Sequence, residues 1–538
     1  MREVVTLQFG QQSNYVATHF WNTQESYFTY GADEESPVDH DVHFRPGLGA
    51  DGNETFMPRT VIYDLKGGFG SMRKINALYD MQDDPVDSSL WSGQPVVHRQ
   101  QPITPSAYQQ SLDAGLAAPE LSTSTVKYWS DFSRVYYHPK SIVQLNEFEL
   151  NSTIMPFEKW HTGEDLFANL DKEHDILDRD LRPFAEESDQ MQGLQIITGL
   201  DDAWAGFSTR YIERLRDEYG KIPVWVWGVQ EPVNGLSREK RILKMTNKAR
   251  AFAELSSQAS LIVPLAVPQV GLPPSIRLDP SSPWHVGALF AAALESTTLY
   301  SRLRALGSVN STSFGTITDL LNVYGKQTIA SLSMAVVDPQ TQAENRGKKT
   351  ESALNGRGDD DHEVIAGPDL DDMSAEGSRE DSTILDVDLS SPEELDLQSG
   401  RRHGRRRAHL FSQILTCRAP PDESDNHQVR GSQRQGEYVR RHRQKVHQLR
   451  STTLFPILDS FPSILRSHDG SAIKDGAALK TSLTTDSSVM NKVRGLRSAV
   501  IRYIGVDERE VIGNELAEIA EGYKEGWSSG SDDDDDDL

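Results

Sequence analysis

The sequence predicts an α/β protein, an open and mostly parallel sheet covered by helices on both faces, with a disordered acidic and basic insertion late in the chain. Three observations carry this. The run VVTLQF, residues 4–9, is a strand stopped by Gly10 and followed by residues at helical spacing. Residues 192–230, QGLQIITGLDDAWAGFSTRYIERLRDEYGKIPVWVWGVQ, read as strand, helix and strand. After Asp338 the composition changes abruptly to acids with few aromatics.

Taken in order, Val4 to Phe9 is the first strand, and Tyr15 to Tyr27 is helical, with Val16, Phe20 and Trp21 on one face. A polar loop rich in Gly and Asp, Gly31 to Thr55, leads to a second core strand, Arg59 to Leu65, RTVIYDL, ending in Lys66-Gly67-Gly68. Residues from about 80 to 120 are rich in Gln, Pro and Ser and read as an extended loop. In the central unit, Leu194 to Ile197 is a short strand, Phe207, Tyr211, Ile212 and Leu215 recur at helical spacing, and Ile222 to Val229 is a second strand. Such a βαβ unit places its two strands parallel. A helix from Glu239 to Leu255 leads to a strand from Ser260 to Val267. Trp284 to Leu303 is a helix whose apolar residues nearly surround it, so it should be buried. Apolar density returns at LFPILDSFPSIL, Leu454 to Leu465, and a last helix spans Glu508 to Tyr523.

The acidic block to about Asp396, with GRGDDDHEV and PDLDDMSAEGSRED, turns to RRHGRRR at Arg401 to Arg407. Segments of this kind bury too little apolar area to offset the entropy of ordering them.

Bulk properties exclude several classes. The 538 residues allow two or three domains, but a hydrophobic fraction of 37% implies that part of the chain lies outside any core. A net charge of -25 repels nucleic-acid backbone. The single cysteine, Cys417, rules out a disulfide framework or a Cys-rich zinc site. No apolar run reaches the roughly 18 residues of a membrane span: Leu261 to Leu272 is broken by Pro264 and Pro268, and Val286 to Leu294 is short. The N-terminal run carries Glu3 and reads as a core strand, not a leader, so a cytosolic setting or the cytosolic face of an organelle is expected. No GxSxG, HExxH, Walker-type GxxxxGK[ST] or CxxC pattern is present, and His138, His161 and His174 lack metal-ligand spacing.

The residues resemble the tubulin superfamily, and more closely its divergent Misato-like branch. MREVVTLQFGQQSNYVATHFW is similar to the tubulin opening, and MPRTVIYDL to the strand tubulins place after their first long loop. The βαβ unit is similar to the one that holds the tubulin phosphate loop, and ALFAAALESTTLYSRL to the central core helix. WSDFSRVYYHPKSIVQL, Trp129 to Leu145, is similar to a stretch typical of Misato-like proteins. The resemblance divides the chain into an N-terminal tubulin-like segment at 1–120, a tubulin-like domain with the βαβ unit and core helix at 121–335, a disordered charged insertion at 336–450, a C-terminal segment packing on the core at 451–527, and an acidic tail at 528–538.

The resemblance implies that Gly10, Gln11, Gln12 and Asn14 descend from a phosphate-binding turn. Tubulins, however, carry GGGTGSG where this chain has Leu200 to Gly206, LDDAWAG. Asp201 and Asp202 would sit at a helix N-terminus and cap the amides a phosphate would use. Two like charges a few Å apart cost roughly 1 to 4 kcal/mol at effective dielectrics of 80 to 20. A magnesium ion could bridge these acids to phosphate, but the glycines that let backbone approach phosphate are missing. No cofactor is therefore expected, GTP included, and GTPase activity is not expected. The Misato-like resemblance implies instead a non-catalytic role in mitochondrial organisation, partitioning of mitochondria and inheritance of mitochondrial DNA. It implies location on the mitochondrion, at its cytosolic face or outer membrane, and also in the cytoplasm. Protein partners on mitochondria or the cytoskeleton, among them tubulin or its folding machinery, are implied too. Arg401, Arg402, Arg405, Arg406 and Arg407, and the run Arg440 to Arg450, are candidates for contact with an anionic membrane surface or an acidic partner, or they simply balance the acids before them. The rival from another class is a GTP-binding, filament-forming cytoskeletal GTPase.

Overall fold

The computed structural model describes residues 2–29, 35–48, 54–72, 103–233, 235–268, 271–304, 312–337, 385–390, 408–420 and 445–524. The chain starts with β1 (Val4–Phe9), which passes through Gly10 into α1 (Gln11–Glu25). The antiparallel pair β2 (Phe44–Leu48) and β3 (Glu54–Pro58) leads to β4 (Thr60–Lys66), and α2 (Ala107–Asp113) precedes β5 (Ile142–Glu149). Then follow α3 (Trp160–His174), α4 (Arg182–Glu186), β6 (Gly193–Gly199), α5 (Ala203–Glu218), β7 (Val224–Val229), α6 (Arg238–Gln258), β8 (Leu261–Leu265), α7 (Pro283–Thr298) and α8 (Phe314–Leu321).

Six strands form one sheet in the order β5-β4-β1-β6-β7-β8, with every pairing parallel. No residue of β1, β6, β7 or β8 is exposed, as befits parallel strands covered on both faces. Val4, Ile62, Ile197 and Trp225 pack against α1 and α7, while Val5, Leu7, Phe9, Val61 and Tyr63 share the opposite core with α3, α5 and α6. The segments 1–120 and 121–335 thus contribute to one sheet. The stretch near 80–120 is not wholly extended: α2 lies in it, capped by Ser106, while 73–102 fall outside the described residues.

A second sheet takes some of its strands from the span of the expected insertion. β9 (Ser331–Val336), β10 (Val387–Asp388), β11 (Leu410–Arg418) and β12 (Val446–Ser451) precede the short pair β13 (Phe455–Pro456) and β14 (Gly476–Ala477), and then β15 (Leu479–Asp486). Its order is β10-β9-β15-β11-β12, antiparallel except between β11 and β12. Residues 385–390, 408–420 and 445–450 are therefore ordered in a sheet where a disordered span was expected over 336–450. The physical reason is that Val387, Leu389 and Ile414 enter the core around α7 although charged segments separate them. The last part of the basic run Arg440 to Arg450 is strand β12. Arg401, Arg402, Arg405, Arg406, Arg407 and the tail 528–538 lie outside the described residues.

Helix α7 is buried at almost every position because one side packs on α1 and the other meets Leu332, Met334 and Leu483 of the second sheet. The closing helices α9 (Ser488–Tyr503) and α10 (Val506–Gly522) pack on each other and on α6. One buried cluster ties the sheets. Glu295 of α7 accepts from Tyr27 Oη at 2.8 Å and from Arg302 Nη2 at 2.7 Å, and it also accepts from Arg418 of β11. Burial pushes the Glu295 carboxyl up, but Arg418 and Arg302 outweigh it and hold the group below the usual carboxylate range. Removing one partner from such a cluster costs about 3 to 5 kcal/mol, because the remaining charge stays buried.

Candidate functional site

At the centre of the first sheet, β1 connects towards β4 on one side and β6 towards β7 on the other. At such a switch point a crevice opens at the carboxyl ends of the strands. Here it is a cleft of about 510 Å³ whose lining includes Gly10, Asp64, Glu149, Asp202, Trp204 and Lys244. The volume is within the usual range for small-molecule sites, so room is not what limits its chemistry.

The first wall is the turn into α1. Gly10 has φ +84°, a conformation that side chains oppose, and a Cβ there would collide with the Trp204 indole. Helix α1 has no side-chain cap and no acid in its first turn. Gly10, Gln11 and Gln12 line the cleft as expected of the turn, and Asn14 lies behind them. Two of the side chains are directed inward. Gln11 Nε2 donates to Asp64 Oδ2 at 2.6 Å and to the Gly68 carbonyl at 2.7 Å, and Asn14 Nδ2 donates to Asp64 Oδ2 at 2.8 Å. Trp129 Nε1 donates to the same oxygen at 3.2 Å, and the Leu65 N–H to Oδ1 at 2.8 Å. All these donors are neutral. Burial consequently pushes the Asp64 carboxyl up to about 7, although the hydrogen bonds pull it down. Ser13 also lines the cleft; it is 1% exposed, and its Oγ has no hydrogen-bond partner among the described residues.

The second wall is the turn from β6 into α5. Leu200 is buried, and Asp202 is the N-cap, its Oδ1 accepting from the Trp204 N–H at 2.9 Å. Burial, and after it the neighbouring Asp201, pushes the Asp202 carboxyl up to about 7. The two acids differ in role. Asp201 does not cap the helix: it accepts from the Glu231 N–H at 3.3 Å and pairs with Lys244 Nζ at 3.2 Å, which also pairs with Glu231 at 2.8 Å. Burial opposes the Lys244 charge, but Asp201 and Glu231 outweigh it and raise its pKa. Trp204 turns its ring towards Phe157, with centroids 5.1 Å apart. Gly206, one of the two surviving glycines with Gly199, meets the Trp160 carbonyl where α5 crosses α3, so it serves helix packing there.

Asp64, Trp129, Ser13 and Lys244 went unnoticed in the sequence. Asp64 left a trace as the one charge closing RTVIYDL; Lys244 sits in a helix among other basic residues and left none. Among the described residues no group of three or more His, Cys, Asp or Glu is arranged to hold a metal ion, and no helix is long and apolar enough to cross a membrane. His161 pairs with Glu164 on α3 at 2.8 Å, and His138 Nδ1 accepts from the Lys140 N–H at 3.1 Å.

A tubulin domain model matches residues 118–303, and a Misato Segment II tubulin-like domain model matches residues 2–114, so that together they span the first sheet and α7. Fold and matches define a tubulin-like protein. The chain is 51% identical to protein dml-1 of Neurospora crassa and 48% identical to protein DML1 of Gibberella zeae, each alignment covering 100% of both chains. Protein DML1 of Yarrowia lipolytica is 28% identical, again over 100% of each chain. The chain belongs to the Misato family of tubulin-like proteins, together with these fungal DML1 proteins.

Proposed function

We propose that this protein is a non-catalytic member of the tubulin-like class that acts through its surfaces in mitochondrial organisation, in the partitioning of mitochondria and in mitochondrial DNA inheritance. It works at the cytosolic face of the mitochondrion and in the cytoplasm, with protein partners on mitochondria or the cytoskeleton, tubulin or its folding machinery among them. The non-catalytic part rests on one observation: the Trp204 indole stands against the Gly10 turn while Asp202 caps the helix behind it.

Those residues do not fit a nucleotide triphosphate. Six carboxyl groups line the cleft against three lysines, and two of these, Lys240 and Lys244, are already paired with Glu158, Asp201 and Glu231. Phosphates placed there meet uncompensated like charge, and the N-terminus of α5 offers them no free cap. The mitochondrial part rests on the family resemblance alone.

Two measurements test the two parts separately. Purified full-length protein should carry no guanine nucleotide and should show no micromolar affinity for GTP by calorimetry; micromolar binding would overturn the non-catalytic reading. Depleting the protein from cells should disturb the partitioning of mitochondria and the retention of their DNA. Normal mitochondria and full DNA retention after depletion would overturn the mitochondrial role.

A further inference from the structure

The cleft carries two kinds of unmet chemistry. At the entry to α1 the first-turn N–H groups have no side-chain cap, and beside them Ser13 Oγ is buried without a partner. These are donors in want of an acceptor. Around the same cleft, Glu149 at the end of β5 and Asp202 before α5 have no ion-pair partner among the described residues; Lys244 is held by Asp201 and Glu231, and Lys240 by Glu158. These are acceptors in want of a cation. Next to the cleft residues Ser152 and Pro156, Ile154 is 89% exposed and Met155 is 53% exposed, an apolar tip at the rim.

Few ligands answer all three features. A free phosphate or carboxylate satisfies the donors of α1 but is repelled by the acid wall. A bare metal ion is drawn to the acids, yet no set of ligating side chains converges on it, and it leaves the N–H groups unmet. A stretch of polypeptide supplies each element: a backbone carbonyl for the N–H groups and Ser13, a guanidinium or ammonium for Asp202 and Glu149, and an apolar side chain for Ile154 and Met155.

We propose that the cleft receives a basic segment of a partner protein, an extended peptide that carries arginine or lysine beside an apolar residue. This rests on the conclusion that the cleft is not a nucleotide site, and it names what takes the place of the nucleotide. The family's surface role then acquires an address at the carboxyl edge of the parallel sheet.

The test uses full-length protein and a short fluorescein-labelled peptide of alternating leucine and arginine, with a leucine–glutamate peptide as control, read by fluorescence anisotropy at physiological salt. The arginine peptide should bind and the glutamate peptide should not. Glu149→Gln and Asp202→Asn should each weaken binding by about three- to ten-fold, since each removes one charge partner. Asparagine is itself a good N-cap, so Asp202→Asn keeps α5 capped, and unchanged circular dichroism checks that the fold is intact. Absence of binding, equal binding of both peptides, or full affinity in both variants would overturn the proposal. GTP titrated into the same sample separates the two conclusions. GTP that binds and displaces the peptide overturns the non-nucleotide reading as well; a protein that binds neither overturns the peptide site alone.

Discussion

At the carboxyl ends of neighbouring strands β1 and β6, the chain makes two turns into helices that border one cleft. Before α1 it passes through a single glycine at positive φ and leaves the helix without a side-chain cap; before α5 it passes through Leu200, Asp201 and Asp202 and caps the helix with its own carboxylate. The strands are parallel and in register, Phe9 opposite Thr198, so the backbone frame is shared. What separates them is which partner satisfies the helix end. In the second turn the protein supplies that partner itself. In the first, the side chains that face inward, Gln11 and Asn14, serve the buried Asp64, and the helix end stays open. A shared backbone arrangement thus leaves the chemistry of a site undetermined until the side chains of both walls are read together.

The largest expected effect breaks the open turn. Gly10→Ala forces a side chain into positive φ and into the Trp204 indole, and should cost about 3 kcal/mol, read as a lower urea midpoint. The same change at Gly199, where φ is not positive and the atoms nearest a Cβ would be those of the Asp202 carboxylate, should cost about 1 kcal/mol. Equal losses would mean that the two turns are under the same constraint. Next in size, Asp202→Ala should cost about 1 kcal/mol by removing the cap of α5, and Asp202→Asn should restore most of it. An Asp202→Ala variant as stable as the parent would remove the distinction between a capped and an uncapped end.

The third effect is one of slope. The Asp64 carboxyl moves from an ordinary 3.8 to about 7 on folding. Native protein therefore binds more protons than unfolded chain between those values, and stability from this group is full below the lower one and lost as pH rises through the higher. Asp202 acts over the same window, whereas His19, buried neutral with its pKa lowered to about 3, acts in the opposite direction, losing stability as pH falls below 6.5. Asp64→Asn should flatten part of the fall in unfolding free energy between pH 4 and pH 7, measured by denaturant titration across that range. An unchanged slope would show that Asp64 is ionised at no cost and that its neutral donors suffice.

Five strands of the first sheet were legible because covering both faces forces continuous apolar runs such as VWVWGV, whereas the mostly exposed edge strand β5, IVQLNEFE, was not; α7 was legible because apolar residues surround it. The second sheet was hidden for an equally physical reason. SLSMAV, LFSQILTCR and LKTSLTTD mix serine and threonine with their apolar residues, and long charged segments stand between them, so composition outweighed periodicity. At the cleft, the replacement of glycines by acid and bulk could be seen in LDDAWAG. The division of labour between Asp201 and Asp202 could not, since it depends on Lys244 and Glu231, which lie far along the chain and reach the site only through tertiary packing.

The cluster around Glu295 bears on the order in which the chain is made. Tyr27 leaves the ribosome early, Glu295 and Arg302 midway, and Arg418 only after a further stretch of more than a hundred residues, yet all four close one buried cluster. Until Arg418 arrives, the carboxylate has one arginine where the finished protein gives it two, and the apolar flank of α7 that faces the second sheet has Leu332 and Met334 of β9 against it but not yet Leu483 of β15. The parallel sheet is thus a nascent half whose α7 flank cannot be sealed before the late strands β11 and β15 are synthesised.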